Sequence, residues 1–473
     1  MYSIDMKTAP FSEAAWRVFE AGFEGTLIRP SDADYDEARL VWNGMIDRSP
    51  ALIARVAHTQ DVVAAVNFAR DNNLLLSVRG GGHNVAGHAV NDDGMVIDLS
   101  DLKNIQVDPA SRIVRAGGGA LIGELDEATQ RFGLAVPMGV VSQTGIAGLT
   151  LGGGYGWLRN KYGLSADNLI GAEVVTADGR ILQVSKEAHF DLLWGLRGGG
   201  GNFGIVTEFV YQAHQVGPEV YFNFVFHDGR GERMKEGIKH YRDYSAAAPD
   251  EVSSLLVTGV IPPVEEHFPK EIHHVPFVAY LGMYAGPVDE GREAFAPLIE
   301  FGEPLLDFSG EMPYVEAQKA LDADYPDGLR YYWKSMNLMT LDDEVIDRFV
   351  KHARRMPSPL STVDLWPIGG AMARGSADES AFNGRHAAFL LSPESNWENT
   401  ADDEANISWL RDFLADMAEF SDGSRYLNFP GFQEGGDDFI RKAFGSQYER
   451  LAALKGKYDP DNLFSLNQNV KPE

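Results

Sequence analysis

Arg79-Gly80-Gly81-Gly82-His83-Asn84 combines two kinds of chemistry in six residues. Three glycines let main-chain N–H groups approach an anion with no Cβ in the way, and successive N–H groups can point into one concavity. The imidazole that follows can act as a nucleophile or a proton carrier near neutral pH. Further glycine runs occur at 117–119, 152–156 and 198–201. Any single run reads as a tight turn; four in one β-rich stretch point to an extended ligand lying along main chain. Gly199-Gly200-Gly201-Asn202-Phe203-Gly204 has the G-x-G-x-x-G spacing of a dinucleotide site. A helix is expected before it and a strand after it, the reverse of what a pyrophosphate at a helix N-terminus requires, so a Rossmann site is rejected. No Gly-Lys-Ser/Thr phosphate loop occurs. In Thr362-Val363-Asp364-Leu365-Trp366-Pro367-Ile368, strand alternation places Asp364, Trp366 and Ile368 on one face.

The elements that must position these groups can be read from periodicity. Ser31 is expected to cap a helix through Asp34–Trp42. Leu52–Val56 reads as a strand, Thr59 opens an amphipathic helix with Val62, Val63, Val66 and Phe68 at helical spacing, and Leu74–Val78 is the strand that delivers the first glycine loop. Short strands follow at Met95–Leu99, Ile105–Val107 and Ile113–Ala116, then a helix over Leu121–Phe132. Asp178-Gly179, between Glu173–Ala177 and Arg180–Val184, is a hairpin signal in which both turn residues are expected at positive φ. Phe190–Leu196 is a short helix and Ile205–Ala213 a strand. Beyond Gly217-Pro218 the glycine runs cease. Strands at Tyr221–Phe226, Leu255–Ile261 and Phe277–Tyr284 then alternate with helices near 232–246, 289–300, 341–355 and 402–420. A last helix is expected over Asp437–Lys455.

With 473 residues, 44% hydrophobic and 23% charged, the chain reads as a globular protein of more than one domain. A net charge of −28 with no run of basic residues argues against nucleic acid or an anionic membrane as partner. No stretch approaches the ~20 apolar residues of a membrane span and the N-terminus lacks the plan of a signal peptide, so a cytoplasmic protein is expected. The absence of cysteine excludes disulfides, zinc–thiolate sites, Fe–S clusters and thiol catalysis, and no metal is expected.

Arg79–Asn84, Gly145–Trp157 and Leu196–Thr207 together resemble the flavin-binding domain of the vanillyl-alcohol-oxidase superfamily. Tyr458-Asp459-Pro460-Asp461-Asn462-Leu463-Phe464 with Asn467-Gln468-Asn469 resembles the C-terminal module of its berberine-bridge-enzyme-like branch, and the order of motifs matches from about residue 48 to the end. The resemblance implies an α+β chain: a PCMH-type FAD-binding domain of two subdomains, and a substrate domain whose sheet is flanked by helices. It implies an N-terminal helical segment at 1–47, the FAD domain at 48–217, the substrate domain at 218–425 and a returning C-terminal segment at 426–473. It implies FAD, with Arg79, Gly80, Gly81, Gly82 and Asn84 at the phosphates. Gly148, Gly152, Gly153 and Gly154 would lie along pyrophosphate and flavin, Ile205 and Val206 by the adenine half, and Asn467 and Asn469 closing the isoalloxazine pocket. His83 falls at the histidine that many members bond to the flavin's C8 methyl carbon. The cysteine that makes a second bond in many eukaryotic members is Val141 here, so attachment is expected through His83 only. Tyr155 and Trp157 are expected to pack.

By the same resemblance the strand holding Asp364 faces the flavin, and Tyr426 in Tyr426-Leu427-Asn428 lies near the substrate hydroxyl. Both are catalytic candidates for proton removal during hydride transfer. A phenol titrates at ~10, so Tyr426 as a base would need help, for which Arg385 or His386 are available. The expected function is oxidation of an alcohol, hemiacetal or amine carbon of a small molecule, with oxygen as acceptor. Thr144 at the oxygen-gating position is intermediate in size, which keeps a dehydrogenase with another acceptor in view. A flavin-binding protein without turnover, or a β-rich binding protein without cofactor, are the readings from other classes. The sequence leaves substrate identity and oligomeric state open.

Overall fold

A computed structural model describes residues 11–431 and 436–473. Ser12 caps the first helix, Glu13–Ala21, by accepting the Ala15 N–H at 3.2 Å. That helix lies on Thr59–Asp71 through stacked Phe19 and Phe68. Apolar runs at 52–55, 76–79 and 95–98 form three parallel strands in the spatial order Leu52–Arg55, Met95–Asp98, Leu76–Arg79, with Thr26–Ile28 antiparallel at the edge. A second subdomain is a five-stranded antiparallel sheet in the order Ile105–Asp108, Ile113–Gly117, Ile205–Gln212, Leu169–Val175, Ile181–Ser185.

From Glu219 to Trp397 the chain builds a larger antiparallel sheet in which Glu219–Asp228, Pro276–Tyr284, Val252–Val260, Thr362–Pro367 and Phe389–Trp397 are successive neighbours. Its two faces differ. Leu256, Tyr280, Leu365 and Leu391 pack under the helices Arg233–Ala247, Val288–Ile299, Asp343–Ala353 and Asp403–Met417. Phe222, Leu255, Leu281, Trp366 and Leu390 face the first half of the chain and join Trp42, Trp157 and Tyr426 in one core. The helix Tyr448–Tyr458 returns to the first half, where Leu451 and Leu454 pack with Trp194 and Leu196.

Three expectations need correction. The helix over 34–42 is a single turn, Tyr35–Ala38, with no side-chain cap. Residues 42–44 instead bond across the molecule, Trp42 N–H to Gly82 O and Gly44 N–H to Leu329 O, and these long-range partners replace a helical ladder. At the 176–180 turn only Gly179 has positive φ (79°), because Thr176 closes the turn by accepting from Gly179 and donating to Arg180 O. The last helix is two, Asp437–Phe444 and Tyr448–Tyr458, interrupted where Gly445 turns to φ 52°.

Candidate active site

A cleft runs between the two halves. Its first wall is rich in glycine main chain. Gly80, Gly81 and Gly82 follow the strand Leu76–Arg79, and Gly145, Gly148 and Gly152 flank or belong to the short helix Ile146–Leu151. Gly81 and Gly145 are glycines because the two loops touch: a Cβ on Gly81 would lie 2.6 Å from Gly145 Cα, and one on Gly145 2.7 Å from Gly81 Cα. Gly148 and Gly201 differ, since a Cβ on either would meet nothing within 4 Å and would project into the cleft. Gly198, Gly200, Gly204, Ile205 and Val206 continue the wall, and Asn467 joins them with its Nδ2 donating to Gly201 O at 3.0 Å. Asn84 also lines the cleft, its Oδ1 accepting the His88 N–H at 3.3 Å.

Not every expected residue reaches this wall. The Arg79 guanidinium turns away, donating to Asp98 at 2.5 Å and to the carbonyls of Ala38 and Leu40, so its geometry is that of a brace for the loop. Gly153 and Gly154, at φ 121° and 85°, form a turn beside the lining and bring the Tyr155 N–H to 3.3 Å from the Tyr426 hydroxyl. The Asn469 side chain does not line the cleft.

The second wall is side chain. The alternation that sends Leu365 and Leu391 under the helices sends Asp364, Trp366 and Glu394 to the cleft. Asp364 and Glu394 are each 2% exposed. Burial, together with the neighbouring Glu394 charge, holds the Asp364 carboxyl far above the usual carboxylate range, and among the described residues its Oδ1 has no hydrogen-bond partner. Burial pushes Glu394 up to about 7, against hydrogen bonds from Tyr325 at 2.8 Å and Ser392 at 3.3 Å. Asp364 is therefore favoured in its protonated form while Glu394 titrates near neutrality, giving one acid and one potential base. Behind Trp366 the buried Arg159 guanidinium lies 5.2 Å from the ring and donates to Gly156 O and Ser254 O. Tyr426 is 2% exposed, and its oxygen accepts from Asn428 Nδ2 at 2.8 Å and from Tyr155 N–H. Burial still raises its pKa. Neither of the groups expected to assist it does so: Arg385 is paired with Asp167, and His386 with Asp422 at 2.6 Å.

Residues 50–185 match the FAD binding domain family model, and residues 425–471 match the berberine and berberine-like model. An FAD-linked oxidoreductase of Dictyostelium discoideum is 30% identical over 96% of both chains. The chain belongs to the FAD-linked oxidoreductases. Another member, (R)-6-hydroxynicotine oxidase of Paenarthrobacter nicotinovorans, is 30% identical over 95% of this chain and 97% of its own. The crystal structure of 6-hydroxy-D-nicotine oxidase from Arthrobacter nicotinovorans superposes with a TM-score of 0.85 at 28% identity, over 95% of this chain and 98% of the other. A glucooligosaccharide oxidase from Acremonium strictum, described with a 6-S-cysteinyl, 8α-N1-histidyl FAD, shares the fold with a TM-score of 0.86 at 24% identity, over 97% of this chain and 99% of its own.

This FAD-linked oxidoreductase has a cleft whose details fit its cofactor. Open space stands over Gly148 and Gly201, and among the described residues six buried polar atoms in the lining lack partners: His83 Nε2, His88 Nδ1, Asp364 Oδ1, Trp366 Nε1, Asn467 Oδ1 and Gln468 Nε2. Burial among protein atoms lowers the pKa of His83 to about 3, which keeps the imidazole neutral. Val141 and Thr144 line the cleft as well.

Sequence reasoning missed Glu394, Tyr325 and His88. Pro393 argued against a strand around Glu394, since proline gives no N–H to a ladder. The structure tolerates it because the neighbouring strand is interrupted there, between Trp333 and Met336, leaving no partner for the missing donor. The only available signal was parity: Leu390, Ser392 and Glu394 alternate with apolar Leu391. His88 had a weaker one, lying five residues beyond His83. Its burial lowers the pKa to about 4 and its Nδ1 has no partner.

Proposed function

We propose that the protein is an oxidase that removes a proton and a hydride from an alcohol, hemiacetal or amine carbon of a small molecule, with FAD tethered through His83 alone and dioxygen as acceptor. The observation that carries this reading is the pairing of walls: a glycine-lined surface ending in His83 stands across one cleft from the buried Asp364–Glu394 pair. The names of the relatives, a hydroxynicotine oxidase and oligosaccharide oxidases, include both amines and sugars among their substrates.

Gly80, Gly81, Gly82 and Asn84 would hold the phosphates, Gly148 and Gly152 the pyrophosphate and flavin, and Ile205, Val206 and Asn467 the remaining length. Bound FAD supplies a two-electron acceptor. The chain supplies the rest. Glu394, increasingly ionised as pH rises through neutrality, takes the proton from the substrate's O–H or N–H, and Asp364 keeps its own proton and donates a hydrogen bond to the same heteroatom. Tyr426 cannot serve as the base while burial raises its pKa; with two donors already on its oxygen, its O–H orients the substrate. Trp366 and Trp333 exclude water from this end of the cleft. Without cysteine, a second flavin bond through a cysteine sulfur is impossible.

A screen of alcohols, sugars and amines that follows bleaching of flavin colour in anaerobic stopped flow tests the activity. An oxygen electrode then identifies the acceptor. Bleaching by no class would leave a flavin carrier without turnover; bleaching with no oxygen uptake would indicate a dehydrogenase.

A further inference from the structure

His83 does not stand alone in its loop. The Trp42 indole stacks on the imidazole with centroids 4.1 Å apart and planes at 17°, and its opposite face stacks on Tyr331 at 3.7 Å and 12°. Trp42 is 3% exposed and held along its edges. Its Nε1–H donates to Tyr325 O at 2.9 Å, its main-chain N–H to Gly82 O, and its carbonyl accepts from Gly328 N–H at 2.9 Å. The adjacent Asn43 Nδ2 donates to Val85 O and Tyr331 O, both at 2.8 Å. The indole lies outside the FAD cleft while His83 lines it, so Trp42 backs the imidazole. Among the described residues His83 Nε2 has no hydrogen-bond partner, so no bond at that nitrogen fixes the ring plane, and the stack constrains it.

We propose that Trp42 is the positioning residue for flavin attachment, fixing the plane of the His83 ring against the cofactor; this rests on His83 being the tether. Joining one imidazole nitrogen to the C8 methyl carbon of FAD removes one hydrogen from that carbon and one from the ring nitrogen. The two electrons and two protons released pass to dioxygen, giving hydrogen peroxide. The torsion that sets an imidazole plane is soft. Holding it removes an entropic cost from bond formation. The indole face also favours the positive charge that the imidazole carries before its proton leaves. Because Tyr331 belongs to the substrate domain, the stack makes attachment depend on both halves being docked.

The test compares the holoenzyme with H83A, W42F, W42L and W42A. Total FAD per chain, melting temperature, the fraction of flavin that stays with acid-precipitated protein, and the rate at which that fraction grows in air are measured. Wild type should retain its flavin on the chain and H83A should release it. Linkage in W42F should stay within about twofold of wild type, and in W42A and W42L it should slow by about tenfold or more with total FAD unchanged. W42L keeps the bulk without the aromatic face, so it answers the question if W42A fails to fold. Wild-type linkage rates in W42L would overturn the role of Trp42 and leave the tether intact. Flavin released from wild type would overturn the tether itself.

Discussion

The wall that the FAD-binding domain gives to the cleft is rich in glycine main chain, whereas the wall given by the larger sheet is built of side chains. Gly148 and Gly201 contribute by leaving space; Asp364, Glu394 and Trp366 contribute by filling it with buried polar groups. A main-chain surface can recognise a cofactor by shape and N–H groups with little dependence on side-chain identity. A side-chain surface can be rewritten for a new substrate while the sheet beneath it stays the same. The difference teaches where each half can be broken.

The largest effect is expected on the side-chain wall. Glu394→Gln should slow flavin reduction by roughly 10²–10⁴-fold, the range general-base catalysis supplies, with FAD content unchanged. In the wild type, reduction should accelerate as pH rises through about 7, because Glu394 must lose its proton to act. The Gln variant should lose that limb, while Asp364→Asn should keep it and lower the plateau. Next is the main-chain wall. Gly148→Leu puts a side chain into open space on an existing helix, so the protein should fold and bind at least about tenfold less FAD by absorbance. Unaltered FAD content would break the contrast between the walls. Tyr426→Phe removes one hydrogen bond to substrate and should cost about fivefold in flavin reduction, since a neutral hydrogen bond contributes ~1 kcal/mol.

A separate effect, on stability and not on turnover, lies where the two halves meet. Asp126 is fully buried beside Gln318, and burial pushes its pKa up to about 8, with the Gln318 hydrogen bond at 3.0 Å opposing. A folded-state pKa above the unfolded value means the folded chain binds more protons between about pH 4 and 8, so stability falls as pH rises through that window. Asp126→Asn should flatten this part of the curve and raise the melting temperature at pH 8 more than at pH 5.

What was legible follows the same division. The His83 loop and the 198–204 run carry strict spacing because close approach of another backbone demands glycine, and Tyr458–Phe464 carries a recognisable C-terminal motif, so the fold and the FAD could be read from them. Asp364 was legible by alternation in Thr362–Ile368. Glu394 was hidden by Pro393, whose tolerance depends on a break in the neighbouring strand that local sequence does not reveal. Trp42 was hidden because its partners, His83 and Tyr331, are far away in sequence. Arg79 shows the converse: a position in a recognisable motif whose side chain braces Asp98 instead of facing the ligand.

The central claim is that one cleft joins FAD to His83 and sets it before the acid pair, and fragmentation mass spectrometry of the peptide 80–103 released by trypsin tests it most directly. The expected result is a single FAD adduct on His83 and none on His88. An unmodified peptide, with flavin free in the acid supernatant, or an adduct on His88, would contradict it.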